Sequence, residues 1–155
     1  MSLRYIAMPE IDAEQLRQGG RDAYGNLPER HISDGVGVPC RHCLRNVEEG
    51  QAYLILAYRP FTSAQPYAET GPIFMHADQC PAPDGSSVPP ILTSSKDYLL
   101  RGYGADERIV YGTGGIVAAE MLEQRAEDLL AQPDVAYVHV RSAKYNCYQC
   151  RIEAA

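Results

Sequence analysis

Two Cys-x-x-Cys pairs, Cys40 with Cys43 near the front and Cys147 with Cys150 at the back, constrain this chain more than any other feature. If both sulfurs of such a pair are to meet one ion, the two residues between them must form a tight turn. The same spacing serves a redox dithiol, so spacing alone leaves both readings open. The fifth cysteine, Cys80, closes a further ligand-like spacing in His76-Ala-Asp-Gln-Cys80. The candidate metal ligands are therefore Cys40, Cys43, His76, Cys80, Cys147 and Cys150, and zinc is the candidate cofactor because its tetrahedral sites take thiolate and imidazole donors.

At 155 residues the chain has the size of a single domain spanning 1–155, and a chain of this length buries roughly two thirds of its unfolded surface. It does not depend on a metal for a core in the way a minimal zinc finger does. Net charge is −6 and the 14 basic residues are scattered singly, whereas a nucleic-acid groove needs a dense positive patch. No apolar run approaches the ~20 residues of a membrane span. The first residues lack the basic start and apolar core of a secretory leader. The expectation is a cytoplasmic protein without nucleic-acid or membrane partners, in which thiol pairs are metal ligands or catalytic groups more often than disulfides. Eleven tyrosines against two phenylalanines and no tryptophan fit strands with one wet face.

The pattern along the chain predicts an α+β fold with a mostly antiparallel sheet, one long helix over 117–131 and a short N-terminal helix over 12–18. Residues 19–39, rich in Gly, Asp and Pro, read as a long loop. Gln51 to Arg59 is the strongest strand, its apolar residues unbroken as if buried on both faces, and Pro72 to His76 reads as another. Tyr98 to Tyr103 and Arg108 to Gly112 are expected to pair as a hairpin around 104–107. In the long helix Val117, Met121, Leu122, Ala126, Leu129 and Leu130 recur at helical steps.

The last two strands can be set in register from their apolar faces. A five-residue connection, Ala143 to Cys147, puts Val138 beside Ile152, His139 beside Arg151 and Val140 beside Cys150. Tyr148, Cys150 and Ile152 then share the core face, with His139 and Arg141 on the other. Asn146 suits a left-handed turn position. Cys150 becomes a core thiol and Cys147 a turn thiol, so a zinc knuckle at this pair would need a bulge. His42 reads as a solvated loop histidine and His76 as a hydrogen-bonded structural one. Cys40 and Cys147, the turn members of their pairs, are expected to approach each other; a disulfide or convergence with Cys43, His76 or Cys80 on a metal would then be told apart by geometry.

Val38-Pro39-Cys40-Arg41, Pro66-Tyr67-Ala68-Glu69-Thr70-Gly71-Pro72-Ile73-Phe74, Arg101-Gly102-Tyr103, Tyr137-Val138-His139-Val140 and Asn146-Cys147-Tyr148 together resemble domain-of-unknown-function family 1203, a bacterial family. The resemblance spans most of the chain and carries no reaction. It includes Cys40 and Cys147, while Cys43 and Cys150 stand where relatives often have non-thiol residues, which limits a four-cysteine site to a subgroup. Glu69 and Asn146 also depart from the commonest forms.

These residues point first to a module binding a small molecule or protein through a polar pocket of Cys40, Arg41, Tyr67, Glu69, Arg101, His139 and Arg141. Arginines would hold an anionic group bidentately and His139 could move a proton near neutral pH. The plainer alternative makes Arg101, Arg141 and Glu69 an ion-pair cluster on a wet sheet face. Two further readings are a zinc-binding interaction domain and a Cys40/His139 enzyme or thiol redox protein, which needs thiol and imidazole within hydrogen-bond reach.

Overall fold

A computed structural model describes residues 1–155. The apolar run after Gln51 forms strand β3 (Ala52–Tyr58), with β2 (Glu29–Ile32) on one side and β4 (Gly71–His76) on the other in an antiparallel three-stranded sheet. Only one face of β3 is fully buried: Ala52, Leu54 and Leu56 point into the core and the alternate residues are half-buried. The expectation of two buried faces fails because this is a small antiparallel sheet with one packed side. Ala13 and Leu16 of α1 (Glu10–Arg17) join that side with Val38, Ile73 and Met75. Strand β2 lies inside the expected loop 19–39; all four of its residues are exposed, so this edge strand carries no apolar alternation to betray it.

The larger sheet has five antiparallel strands in the order β1 (Leu3–Ile6), β8 (Tyr148–Ala154), β7 (Tyr137–Ser142), β5 (Asp97–Tyr103), β6 (Gly115–Ala118). The expected long helix over 117–131 is a shorter one. Val117 pairs with Tyr98 in the sheet, Ala119–Met121 make a 3-10 turn, and the α-helix α2 is Leu122–Leu130. The β-branched pair Ile116-Val117 favours the strand, and the helical period that seemed to run through it buries only Leu122, Ala126 and Leu129. Residues 104–107 do turn the chain, with the Gly104 amide on the Arg108 carbonyl, but only Tyr103 and Ile109 bridge beyond it; the partner of β5 is β6.

The final hairpin has the expected register, Val138 opposite Ile152, His139 opposite Arg151 and Val140 opposite Cys150, and Asn146 adopts φ 58° in its turn. Tyr148 departs from expectation. A bulge after Val140 pairs Arg141 with Tyr148, which moves the Tyr148 ring to the His139 face at 4.8 Å between centroids. One face of the sheet is thus apolar, where Leu100, Val138, Val140, Cys150 and Ile152 pack with Leu122, Ala126 and Leu129 of α2. The other carries Arg101, Tyr103, Tyr137, His139, Arg141 and Arg151 in cross-strand rows. Instead of lying wet, this face is covered: Tyr103, Tyr137, His139 and Arg141 are buried and Arg101 and Arg151 half-buried, with Phe61 from the 59–70 connection packed on Tyr103 and Tyr137.

Candidate functional site

Residues Val38 to Val47 fold back on themselves. The Val47 amide donates to the Val38 carbonyl at 2.8 Å, Cys40 to Arg45 at 2.9 Å, and Leu44 to Cys40 at 3.0 Å. Closing this small loop puts Leu44 at φ 58°, a conformation bulky residues avoid. Its fully buried side chain anchors it in the core of the larger sheet. The turn lies along β4, the Arg41 amide donating to the Phe74 carbonyl at 3.0 Å, so the end of β4 delivers His76 and the chain beyond it delivers Cys80.

The donor atoms of Cys40, Cys43, His76 and Cys80 all lie within 4.8 Å of one another. Bond lengths of about 2.3 Å to sulfur and 2.0–2.1 Å to nitrogen at tetrahedral angles require about 3.8 Å between two sulfurs and about 3.6 Å between sulfur and nitrogen. The Cys40 and Cys80 sulfurs are 3.8 Å apart, and Cys43 Sγ is 3.4 Å from His76 Nδ1. The surroundings suit thiolates: the His76 amide donates to Cys40 Sγ at 3.3 Å and Arg17 Nη2 to Cys80 Sγ at 3.0 Å. Arg17 is held in place by its Nε on the His76 carbonyl at 3.1 Å. The Cys40 thiol is pulled far below its ordinary range by hydrogen bonds from Cys43 and Cys80, while those two are pushed up by donating to it. A divalent ion with three thiolates carries one net negative charge, and Arg17 supplies the matching positive one.

The structure does not bring Cys147 and Cys150 to this cluster. Cys150 is a fully buried core thiol, pushed up to about 12 by burial, and Cys147 sits in the hairpin turn with its sulfur 3.8 Å from the Tyr145 carbonyl. All five cysteines are free. The expected joint site of Cys40 and Cys147 fails, whether as a disulfide or as shared metal ligands; Cys40 instead converges with Cys43, His76 and Cys80, a donor set compatible with a metal ion. His42 is not solvated. It is fully buried, with Nδ1 on the Met8 carbonyl at 2.8 Å and Nε2 2.7 Å from Glu10, which fastens the start of α1. Arg41 also points inward. It donates to the carbonyls of Tyr148 at 2.7 Å and Pro39 at 2.6 Å, and burial pulls its guanidinium down to about 10. The turn is thus joined to the larger sheet through Arg41 and Leu44.

Of the seven residues expected to line one pocket, Cys40 and Arg41 belong to the turn. Tyr67 lies outside on the covering loop, its hydroxyl 3.1 Å from that of Tyr111. Glu69, Arg101, His139 and Arg141 do come together. Glu69 places one oxygen 2.9 Å from Arg101 Nη2, without hydrogen-bond alignment, and the other 3.4 Å from Arg141 Nη1. Beneath them His139 is fully buried among the rings of Phe61, Tyr103, Tyr137 and Tyr148 at centroid distances of 5.1, 4.7, 5.0 and 4.8 Å. Both ring nitrogens of His139, the hydroxyls of Tyr103 and Tyr137, and Nε of Arg101 and Arg141 have no hydrogen-bond partner in the protein. Each such buried group destabilises the fold by roughly 1–3 kcal/mol. Burial, then Arg141, Arg151 and Arg101, hold His139 neutral well below the usual histidine range.

The family model for proteins of unknown function DUF1203 matches residues 37–154, most of the chain. The chain belongs to the DUF1203 family. No curated protein and no solved structure matches it. The DUF1203 match takes in the whole thiol cluster and the whole polar face, but not α1, so Arg17 lies outside it. Alternation sets Tyr137 on the face of His139 and Arg141, and Tyr103 on that of Arg101, yet neither tyrosine is among the residues expected to line the pocket. Arg17 and Phe61 carried no signal, since their approach is set by tertiary packing.

Proposed function

We propose that this DUF1203 chain is a binding module carried on a zinc-stabilised scaffold. The observation that supports the zinc is the convergence of four donors, Cys40, Cys43, His76 and Cys80, all within 4.8 Å of one another, with the Cys40–Cys80 and Cys43–His76 separations of 3.8 and 3.4 Å close to those of a tetrahedral site. With four protein ligands no position is left for water or substrate, so the ion is structural. Its work is to hold the Cys40–Cys43 turn, from which Arg41 and Leu44 reach the larger sheet. Metal analysis of untreated protein should give one zinc per chain, absent from Cys40→Ser and Cys80→Ser. Metal-free wild type that melts like the isolated protein would overturn the reading.

The binding function falls to the polar face around Glu69, Arg101, His139 and Arg141, favoured by its unpartnered donors. The Cys40/His139 enzyme has no such support, because neither nitrogen of His139 has a partner and the Cys40 sulfur is engaged with Cys80 and the His76 amide.

A further inference from the structure

We infer that the polar face of β5 and β7 binds a small dianionic oxyanion, a phosphate group or a short dicarboxylate, and that Glu69 is the built-in occupant the ligand displaces. This rests on the reading of that face as the binding surface and adds the ligand class.

The donors there outnumber the acceptors. Glu69 gives one oxygen to each guanidinium, yet Nε of Arg101, and Nε and Nη2 of Arg141, remain buried without a partner. The hydroxyls of Tyr103 and Tyr137 and the ring of His139 are also unsatisfied, and Arg141, Tyr103, Tyr137 and His139 are all more than nine-tenths buried. The guanidinium nitrogens can only donate, whereas the phenols and the neutral imidazole donate or accept, so the partner the arginines lack is an acceptor with several oxygens. Charge gives its valence. Arg151 is already engaged, its Nε donating to Glu153 at 2.6 Å. That leaves Arg101 and Arg141 against the single charge of Glu69. Replacing Glu69 by a dianion would leave the two arginines balanced.

Access fits exchange. Glu69 sits on a covering loop with its side chain 36% exposed, against 5% for Arg141. Both residues line a cleft of about 380 Å³ bounded by Tyr58, Pro60, Tyr145 and Cys147. Arg141 lines that cleft directly and Arg101 lies behind Glu69, so swinging the one loop carboxylate outward would uncover both arginines without moving the sheet. A cation would have to enter beside two arginines that share a single carboxylate, which charge repulsion disfavours.

The test is calorimetric titration of zinc-replete protein with inorganic phosphate and, separately, succinate. Wild type should bind one of them saturably at one site, and the source is decided by which. Glu69→Gln removes the competitor and should bind about tenfold more tightly, whereas Arg101→Lys, which keeps the charge but not the fork, should bind about tenfold more weakly. Zinc content and melting midpoint establish that each variant is folded. Folded Glu69→Gln that binds neither anion, or Arg101→Lys with unchanged affinity, would overturn the proposal. If phenol shifts the His139 ring resonances while neither anion does, the face remains a binding surface and the oxyanion class is wrong. Retained anion binding in protein lacking zinc would overturn only the scaffold.

Discussion

The thiol cluster and the polar face both gather chemistry-bearing side chains, but by different means and with different results. Around Cys40 the donors come from a turn, a strand end and the residues after it, and the Cys40, Cys43 and Cys80 sulfurs each find a partner among themselves, His76 or Arg17. Around His139 the groups stand at regular positions on paired strands, and most of their polar atoms find none. Turns can bend until soft donors meet one point, which suits a closed metal site. A sheet fixes side chains in rows about 5 Å apart, so converging charges there need something between them. On the proposed reading, an ion would complete the first region, and an exchangeable anion the second.

The sharpest way to break this contrast is to remove the ion. A site saturated about a thousandfold over its dissociation constant contributes about 4 kcal/mol. For a chain of this size that lowers the melting midpoint by roughly 8–16 °C. Chelated wild type and zinc-free Cys43→Ser should melt alike at that lower value, while Cys147→Ser retains both zinc and midpoint. Equal zinc loss in Cys147→Ser would erase the distinction between the two cysteine pairs.

Arg41 tests whether the regions are mechanically joined. Arg41→Ala removes two charged donors from buried carbonyls of Pro39 and Tyr148. A loss of about 3 kcal/mol is expected in urea unfolding, with one zinc still bound. Loss of zinc along with stability would mean that the turn depends on the sheet as much as the sheet on the turn.

The two regions were unequally legible in the sequence. The Cys40–Cys43 pair and the His76–Cys80 spacing flagged the four donors that converge, because sequence neighbours on a turn advertise a site. The back pair looked the same but joins no such cluster: alternation places Cys150 in the core with Val138 and Val140, and this was readable. The register of the last hairpin followed from matching apolar faces, but the bulge that turns Tyr148 did not, since one inserted residue leaves the apolar pattern of Cys150 and Ile152 intact. The helix was overextended into β6 because Val117 fits a 3.6-residue period as well as a strand; only its pairing with Tyr98 decides. The polar face was half-read: the charges were evident, whereas the loop that buries them with Phe61 depends on packing between distant segments.

A smaller effect is expected at Arg17, which donates to Cys80 Sγ and would offset the one net negative charge of a zinc-loaded cluster. Arg17→Ala should weaken zinc binding by about 10–100-fold in chelator competition, the range for groups that orient metal ligands, with the stoichiometry unchanged. Arg17→Lys should restore part of it. An unaltered affinity would mean that the cluster needs no compensating charge, and the contact would then be packing alone.

The smallest effect concerns acid, and it sits on the other region. His139 faces Arg101 from β5, Arg151 from β8 and Arg141 on its own strand, with Glu69 from the covering loop pairing two of those arginines. Burial and those cations lower its pKa in the folded protein, so it stays neutral where an unfolded histidine, with a pKa near ~6.5, takes a proton. As pH falls below that unfolded value the unfolded chain binds one proton more than the native one, and stability declines by at most about 1.4 kcal/mol per pH unit. The decline continues until the lower folded pKa is reached. His139→Gln removes the titrating group, so the slope of unfolding free energy should fall relative to wild type by about half a proton at pH 6.5 and by nearly one proton at pH 5, measured with zinc saturating in both. The thiol cluster cannot produce that difference, since it is the same in the two proteins. An unchanged slope would mean that His139 finds a stabilised charged form in place, and the polar face would no longer be a set of donors awaiting an anion.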